Sequence, residues 1–436
     1  MAAGAVTVLA APVLVGDLHL DAPLPDLNGD GRYRGARLLA WLHGRPLAEV
    51  MLPLAPRPLP AGELAGLVWQ QIGGQVSEHY AGDGLPPPGE LTAAGLTRAA
   101  SPRCAVPRPA AAPKITVVVA TRDRAGSLLR CLDSLSRVDY PAFDVVVVDS
   151  APRTDETQLA LAARPETGFA VSYLREPRPG LALAHNAALP AVTGDIVAIT
   201  DDDVEVDPGW LGALAAAFAD AGAACVTGLI LPAELQTTPQ LLVEQAGGYS
   251  RGYTRHTFSR DMPAPSPLFP FTAGRFGSGA NMAFRTEWLV AHGGFDPATG
   301  AGTPARGGDD LTAFLKVITS GATLAYEPAA IVRHWHRRDY EGMRRQAFGY
   351  GVGLGAYLTA SVWARPALLA AMARRALPAA RHLLGAGSAK NAGREDSFPA
   401  ELVWRERAGV LAGPFAYAVS RWRYRDRRQG GTGGRQ

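Results

Sequence analysis

The chain has 436 residues, 47% hydrophobic and 19% charged, which suffices for a large buried core and excludes a chain disordered throughout. A formal net charge of only +3 gives no global attraction to nucleic acid, although basic residues gather toward the C-terminus. The cysteines, Cys104, Cys131 and Cys225, are odd in number and outside any CxxC pairing, which points to a reducing compartment, to packing roles for all three, and away from a zinc site.

The opening residues MAAGAVTVLAAPVLVGDLHLD are apolar, with no Lys or Arg before Arg32. They lack the basic start of a secretory signal and are expected to form a buried strand. No stretch reaches the roughly 18 to 20 apolar residues that span a bilayer. The expected location is the cytoplasm, with peripheral contact at the inner face of the cell membrane left open. Residues 1–100, with the apolar runs VTVLAAPVLV and RLLAWLHGRPLAEVMLPL and the helical segment ELAGLVWQQIGGQVSEHY, predict a small α+β domain. Residues 101–113 are Pro- and Ala-rich and suit an extended linker.

From Lys114 the pattern becomes strand, loop, helix, repeated. ITVVVA leads to a helix over 125–136 with Leu128, Leu129, Leu132 and Leu135 on one face, followed by DVVVVD, FAVSYL, a helical ALAHNAALPAV and DIVAIT. Continuous Val-rich runs are buried on both faces, so residues 114–340 are expected to be an α/β domain with a mostly parallel sheet and flanking helices. Such sheets bind ligands at the carboxyl ends of their strands. Residues 341–428 predict a helical extension that either packs on the catalytic domain or lies on a membrane surface. Its Arg421, Arg423, Arg425, Arg427 and Arg428, interleaved with Trp422 and Tyr424, suit anionic lipid. Residues 429–436 are expected to be a disordered tail.

Six carboxylates lie between Asp195 and Asp207 with no Lys or Arg among them. Asp201, Asp202 and Asp203 follow directly on the strand IVAIT, where clustered negative charge needs a proton or a cation. Either the triplet holds Mg²⁺ or Mn²⁺ for a diphosphate, or it forms a turn and caps the next helix. Thr121, Arg122, Asp123 and Arg124 in VVVATRDR face the same crevice and could receive a nucleotide, and Asp149 closes DVVVVD at a neighbouring strand end. Gly180 allows close backbone approach. Asn186, beside His185 in the following helix, could bridge to the nucleotide or bond the backbone. In GGDDLTAFLKVITSG, capping explains Asp309, while Asp310 is a candidate general base. His334 and His336 alternate onto one face of AAIVRHWHRRDY, and one imidazole could complete a metal shell.

The ordered segments VVVATRDR, VVVVDS, PGLALAHNAAL, IVAITDDDVEVDPGWL, GSGANMAFR, GGFDP, GGDDLTAFLKVITSG and IVRHWHR resemble family 2 glycosyltransferases of the GT-A fold over residues 114–340. The resemblance implies nucleotide contacts at Thr121, Arg122, Arg124 and Asp149 and metal ligation by Asp201 and Asp203 with Asp202 adjacent. It further implies a base at Asp310 and a metal-binding His334. It also implies an inverting transfer from a nucleotide sugar, a UDP-sugar foremost, to an acceptor hydroxyl, with Mn²⁺ or Mg²⁺. Two positions depart from the family pattern: Asp309 stands where Glu is usual, and His185 where Arg often precedes Asn. A nucleotidyltransferase would share the sheet and the acidic site, but VVVATRDR lacks its glycine-rich loop. A non-catalytic binding protein retaining the fold is the other alternative.

Overall fold

The computed structural model describes residues 9–96, 104, 112–165, 168–378 and 398–425. The expected tail, most of the linker and both Arg427 and Arg428 lie outside them.

In the N-terminal part, β1 (Val13–His19) pairs parallel with β2 (Gly35–Leu42), and β2 pairs antiparallel with β3 (Arg45–Pro53). The β2–β3 turn is the two residues His43 and Gly44, both with positive φ (53° and 75°), the geometry of a tight hairpin. Helix α1 (Ala61–Gly82) covers the sheet, burying Leu64, Val68, Ile72 and Val76 against Leu38, Ala40 and Val50.

The larger part contains β4 (Ile115–Thr121), α2 (Ala125–Leu135), β5 (Phe143–Ser150), α3 (Glu156–Ala162), β6 (Val171–Glu176), α4 (Leu181–Ala188), β7 (Ile196–Asp201), β8 (Val204–Val206) and α5 (Trp210–Ala221). It continues with β9 (Cys225–Pro232), α6 (Thr238–Gln245), β10 (His256–Phe258), β11 (Asn281–Arg285), α7 (Thr286–Ala291), α8 (Asp309–Ser320) and β12 (Leu324–His334). Every residue of β4 is buried. Val117 and Val119 pack into a layer with Leu128 and Leu132 of α2 and Trp210 of α5, while Val118 and Ala120 pack into the opposite layer with Ala184 of α4 and Phe314 of α8. This two-sided burial explains the unbroken Val runs.

The sheet order is β10-β12-β9-β11-β7-β4-β5-β6, with β8 on β12. It is parallel from β7 through β4 and β5 to β6. Beyond β7 it is mixed, because β11 runs antiparallel between β7 and β9. Asn281 secures that insertion: its amide donates to the carbonyls of Leu229 and Ala330, and its oxygen accepts from the Trp210 indole. Cys131 and Cys225 are core residues as expected, whereas Cys104 has polar neighbours.

The C-terminal helices α9 (Tyr340–Ala364), α10 (Leu368–Ala373) and α11 (Ala400–Arg425) include a tightly packed pair, α9 and α11. Gly351 and Gly355 of α9 meet Gly409 and Gly413 of α11 backbone to backbone, so a Cβ on any of the four would enter the partner helix. Gly413→Ala should therefore cost about 1–3 kcal/mol. Gly66→Ala, at an exposed α1 position with no atom near the added Cβ, should stabilise by about 0.4–1 kcal/mol. Urea unfolding midpoints check both signs, and equal shifts would contradict the packing.

Candidate active site

Strand β7 ends at Asp201, which pairs in register with Ala120 of β4, so the carboxylate run emerges beside Thr121. Asp202 is fully buried, its Oδ2 accepting from the Thr121 hydroxyl at 2.6 Å and its Oδ1 facing the Arg124 guanidinium. Arg124 also donates to Asp203 Oδ2 at 2.7 Å. The next residues form β8, whose antiparallel pairing sets Val204 opposite His334 and brings His334 Nε2 within 3.3 Å of Asp203 Oδ1. Strand pairing thus joins residues 131 positions apart in sequence (334 minus 203).

Three carboxylates here face one guanidinium and one imidazole. Burial, reinforced by Asp203, lifts the Asp201 carboxyl to about 7, and burial lifts Asp202 to about 6 against the pull of Arg124. Burial acts on Asp203 too, but His334 and Arg124 overcome it and hold that carboxyl well below the ordinary range. Burial likewise opposes charge on His334, yet Asp203 outweighs it and raises the imidazole. Ligand atoms of Asp201, Asp203 and His334 all lie within 4.8 Å of one another, a set suited to a divalent ion.

His334 is held from behind. Its Nδ1 lies 3.1 Å from His336 Nδ1, and His336 Nε2 is 2.7 Å from Glu244 Oε1. Glu244 Oε2 accepts from Arg37 at 2.7 Å, and Arg37 makes a bidentate pair with Glu49 at 2.6 and 2.8 Å. Burial opposes charge on Glu244, but Arg37 and His336 hold its carboxyl down at about 2. An ordered ionic chain therefore runs from β2 and β3 of the N-terminal sheet to His334, and nothing in the sequence pattern announced it.

Asp309 and Asp310 occupy the first turn of α8, after Gly308 in the left-handed conformation (φ 87°). Asp310 Oδ2 accepts from the Gly279 amide at 2.9 Å and Oδ1 from the Leu311 amide at 2.8 Å. Asp309 is buried, its Oδ2 without a hydrogen-bond partner and 3.9 Å from His185 Nδ1. Burial and the neighbouring Asp310 push Asp309 up to about 8, so it holds its proton at neutral pH. Burial also raises Asp310, but its two amide donors favour the charged form. His185 is driven down to about 4 by burial and is neutral.

A cavity of about 480 Å³ opens between these groups and the C-terminal helices. Asp201, His334, Asp309 and Asp310 line one side, Tyr249 and Arg251 another, and Met343, Gln346 and Tyr350 of α9 a third. Tyr249, Arg251, Gln346 and Tyr350 were missed from sequence. Tyr249 and Arg251 sit in an irregular stretch without periodicity, and Gln346 and Tyr350 reach the cavity only because α9 folds back over the sheet.

The remaining expected residues are arranged as follows. Asp149, fully buried at the end of β5, accepts from the Tyr173 hydroxyl at 3.1 Å and keeps one oxygen unpartnered. Arg122 is exposed, nearest to Asp123 at 3.9 Å, outside the carboxylate cluster. Gly180 precedes α4 with φ 147°, and a Cβ there would press on Thr303. Asn186 takes up the second of its two alternatives, bonding the backbone: its side-chain nitrogen donates to the Phe295 carbonyl and its oxygen accepts from the Phe295 amide, both at 2.8 Å. The hydroxyl of Thr121 and the guanidinium of Arg124 are engaged by Asp202 and Asp203.

Residues 116–289 match the Glycosyl transferase family 2 pattern. The chain is 30% identical over 252 residues to the pre-mycofactocin glycosyltransferase of Mycobacterium tuberculosis, covering 56% of this chain and 48% of that protein. It is 26% identical over 219 residues to the succinoglycan biosynthesis protein ExoM of Rhizobium meliloti, covering 50% and 65%. It thus spans about half of the first relative and less than two thirds of the second. Among solved structures, the Pyrobaculum calidifontis mannosyltransferase PcManGT in complex with GDP-Man and Mn²⁺ is similar at a TM-score of 0.43 and 23% identity, over 76% of this chain and 80% of that one. Residues 116–289, which carry β4 to β7 and the carboxylate run, are thus similar to glycosyl transferase family 2.

Proposed function

We propose that the chain transfers a sugar from a nucleotide-sugar donor, a UDP-sugar foremost, to an acceptor hydroxyl with inversion at the anomeric carbon, using Mn²⁺ or Mg²⁺. The observation that carries this reading is the opening of Asp201, His334 and Asp310 onto one cavity at the strand ends. Asp201, Asp203 and His334 would hold the ion, and the excess of carboxylates over cationic side chains supports it. The imidazole favours Mn²⁺ over Mg²⁺. When bound, the divalent ion neutralises charge on the departing diphosphate.

The other steps belong to side chains. Asp149, Arg122 and the end of β4 face the nucleotide. Asp310, fixed by the amides of Gly279 and Leu311, takes the acceptor's proton as the hydroxyl oxygen bonds to the anomeric carbon. The bond from that carbon to the diphosphate breaks on the opposite face. Arg251 offers a guanidinium to the acceptor, while Gln346 spends its amide donors on the hydroxyls of Tyr249 and Tyr350 beside it. The names of the two relatives support a glycosylated metabolite or a polysaccharide as product.

Incubation with nucleotide sugars and Mn²⁺ should release nucleoside diphosphate; release of pyrophosphate would instead establish a nucleotidyltransferase. Asp310→Asn should lower kcat about 10²–10⁴-fold while calorimetric binding of donor with Mn²⁺ persists, and unchanged turnover would remove Asp310 as base. Glu244→Gln should weaken Mn²⁺ binding about 10–100-fold by loosening His336 behind His334, whereas unaltered affinity would show the ionic chain to be idle.

Among the described residues no helix is long and apolar enough to cross a membrane. We also propose peripheral contact with anionic lipid through α11, whose exposed Trp404, Leu411, Phe415 and Trp422 share one face beside Arg421 and Arg423. Leu411→Glu with Phe415→Glu should abolish co-sedimentation with phosphatidylglycerol vesicles, and undiminished sedimentation would refute the contact.

A further inference from the structure

Far from the carboxylate triplet, a second cluster gathers on the N-terminal sheet. His43 comes from the β2–β3 turn, His79 from the last turn of α1, Asp83 from the residue that ends α1, and Cys104 from the segment leading toward β4. Asp83 Oδ2 is 2.7 Å from His43 Nδ1, 3.1 Å from Cys104 Sγ and 3.4 Å from His79 Nε2. Cys104 Sγ is in turn 3.2 Å from His79 Nε2 and 3.8 Å from His43 Nδ1. All four ligand atoms lie within 4.8 Å of one another.

Pairwise hydrogen bonding explains this arrangement poorly. A carboxylate oxygen has two lone pairs, yet three potential donors converge on Asp83 Oδ2, and the thiol also meets both imidazoles. Asp83 Oδ1 is already engaged, accepting from the Cys104 amide at 2.7 Å, which leaves Oδ2 to face the centre. Two of the four groups are buried and two half-buried: the His43 side chain is fully buried, with Nε2 lacking a partner, that of Asp83 is 3% exposed, and those of His79 and Cys104 lie nearer the surface.

We propose that His43, His79, Asp83 and Cys104 form a structural zinc site that fastens the segment at Cys104 to the N-terminal sheet. One thiolate and one carboxylate balance the charge of Zn²⁺, and two neutral imidazoles complete a four-coordinate shell. With ligand bonds of about 2.0 to 2.3 Å, the tetrahedral edges of this set run about 3.3 to 3.6 Å. The spacings of 3.1, 3.2, 3.4 and 3.8 Å lie within about half an ångström of them, and the Asp83–His43 spacing of 2.7 Å would open by about 0.6 Å. Thiolate and imidazole together select zinc over the hard ions suited to the carboxylate triplet. A shell of four protein ligands leaves no position for substrate, so the ion is structural. Its place gives it a task. Arg45, two residues after His43, donates to the Cys104 carbonyl and reaches Glu327 of β12 at 2.8 Å, so the fastening lies where the N-terminal sheet meets the catalytic one.

The full chain, purified without chelator, should carry about one zinc per chain after dialysis, measured by plasma mass spectrometry. Replacement by Co²⁺ should produce a thiolate-to-cobalt charge-transfer band. Band and zinc should persist in Asp203→Ala and disappear in Cys104→Ser and in His79→Gln. Cobalt that binds without the band, or metal lost only in Asp203→Ala, overturns the site. Should both cluster variants fail to fold, alkylation of Cys104 in the unaltered chain decides, read by peptide mapping. A rate that rises at least tenfold on removing zinc supports the site, and a rate indifferent to zinc overturns it.

Discussion

Concentrated negative charge at a water-poor strand end is the constraint around which this molecule is arranged. Asp201, Asp202 and Asp203 could not stay ionised together at the end of β7 without help. The fold answers each differently: Asp202 receives a hydroxyl and a guanidinium, Asp203 a guanidinium and an imidazole, and Asp201 is left facing the cavity. The proposed cation would answer the charge that remains on Asp201. The neighbouring acidic pair follows the same logic, since burial raises both carboxyls and pushes Asp309 to about 8, while two backbone amides pull Asp310 the other way.

Much of this was legible because the chemistry is local. A Val run buried on both faces has no other economical fold, so β4, β5 and β7 could be read directly, and Asp149 and Asp201 fell at their carboxyl ends. Alternation placed His334 and His336 together before any coordinates did. Strand direction is different: nothing in Asn281–Arg285 says that β11 runs against its neighbours, because apolar patterning looks the same in both senses. Asn186 was ambiguous for a related reason, since an amide in a helix can serve a ligand or a loop, and only the position of Phe295 decides. Cys104 was read as packing because its polar neighbours come from a turn and a helix end distant in sequence.

The N-terminal sheet is more than an appendage to the catalytic one. Leu39 packs with Leu229, Leu231 and Ile331, Val13 bridges to Leu235, and Arg333 reaches Asp17 at 2.6 Å. Arg37 sits within this contact, half-buried with two carboxylates, Glu49 on its own sheet and Glu244 beside His336. Breaking such a partly buried network would leave an uncompensated charge, which is costly. The orientation of His334 and the docking of the two sheets are therefore one property.

The glycine contact between α9 and α11 sets the character of the cavity opposite the carboxylates. Helices touching through bare backbone cannot slide closer or spread apart without losing the contact, so the wall they form behaves as a rigid partition. Under the proposed transfer, an acceptor would be measured against that fixed span, and selectivity would be retuned by exchanging side chains such as Met343, Gln346 and Tyr350. Relatives with different acceptors could keep the partition and change only these protruding groups, much as a lock keeps its case while its pins are recut.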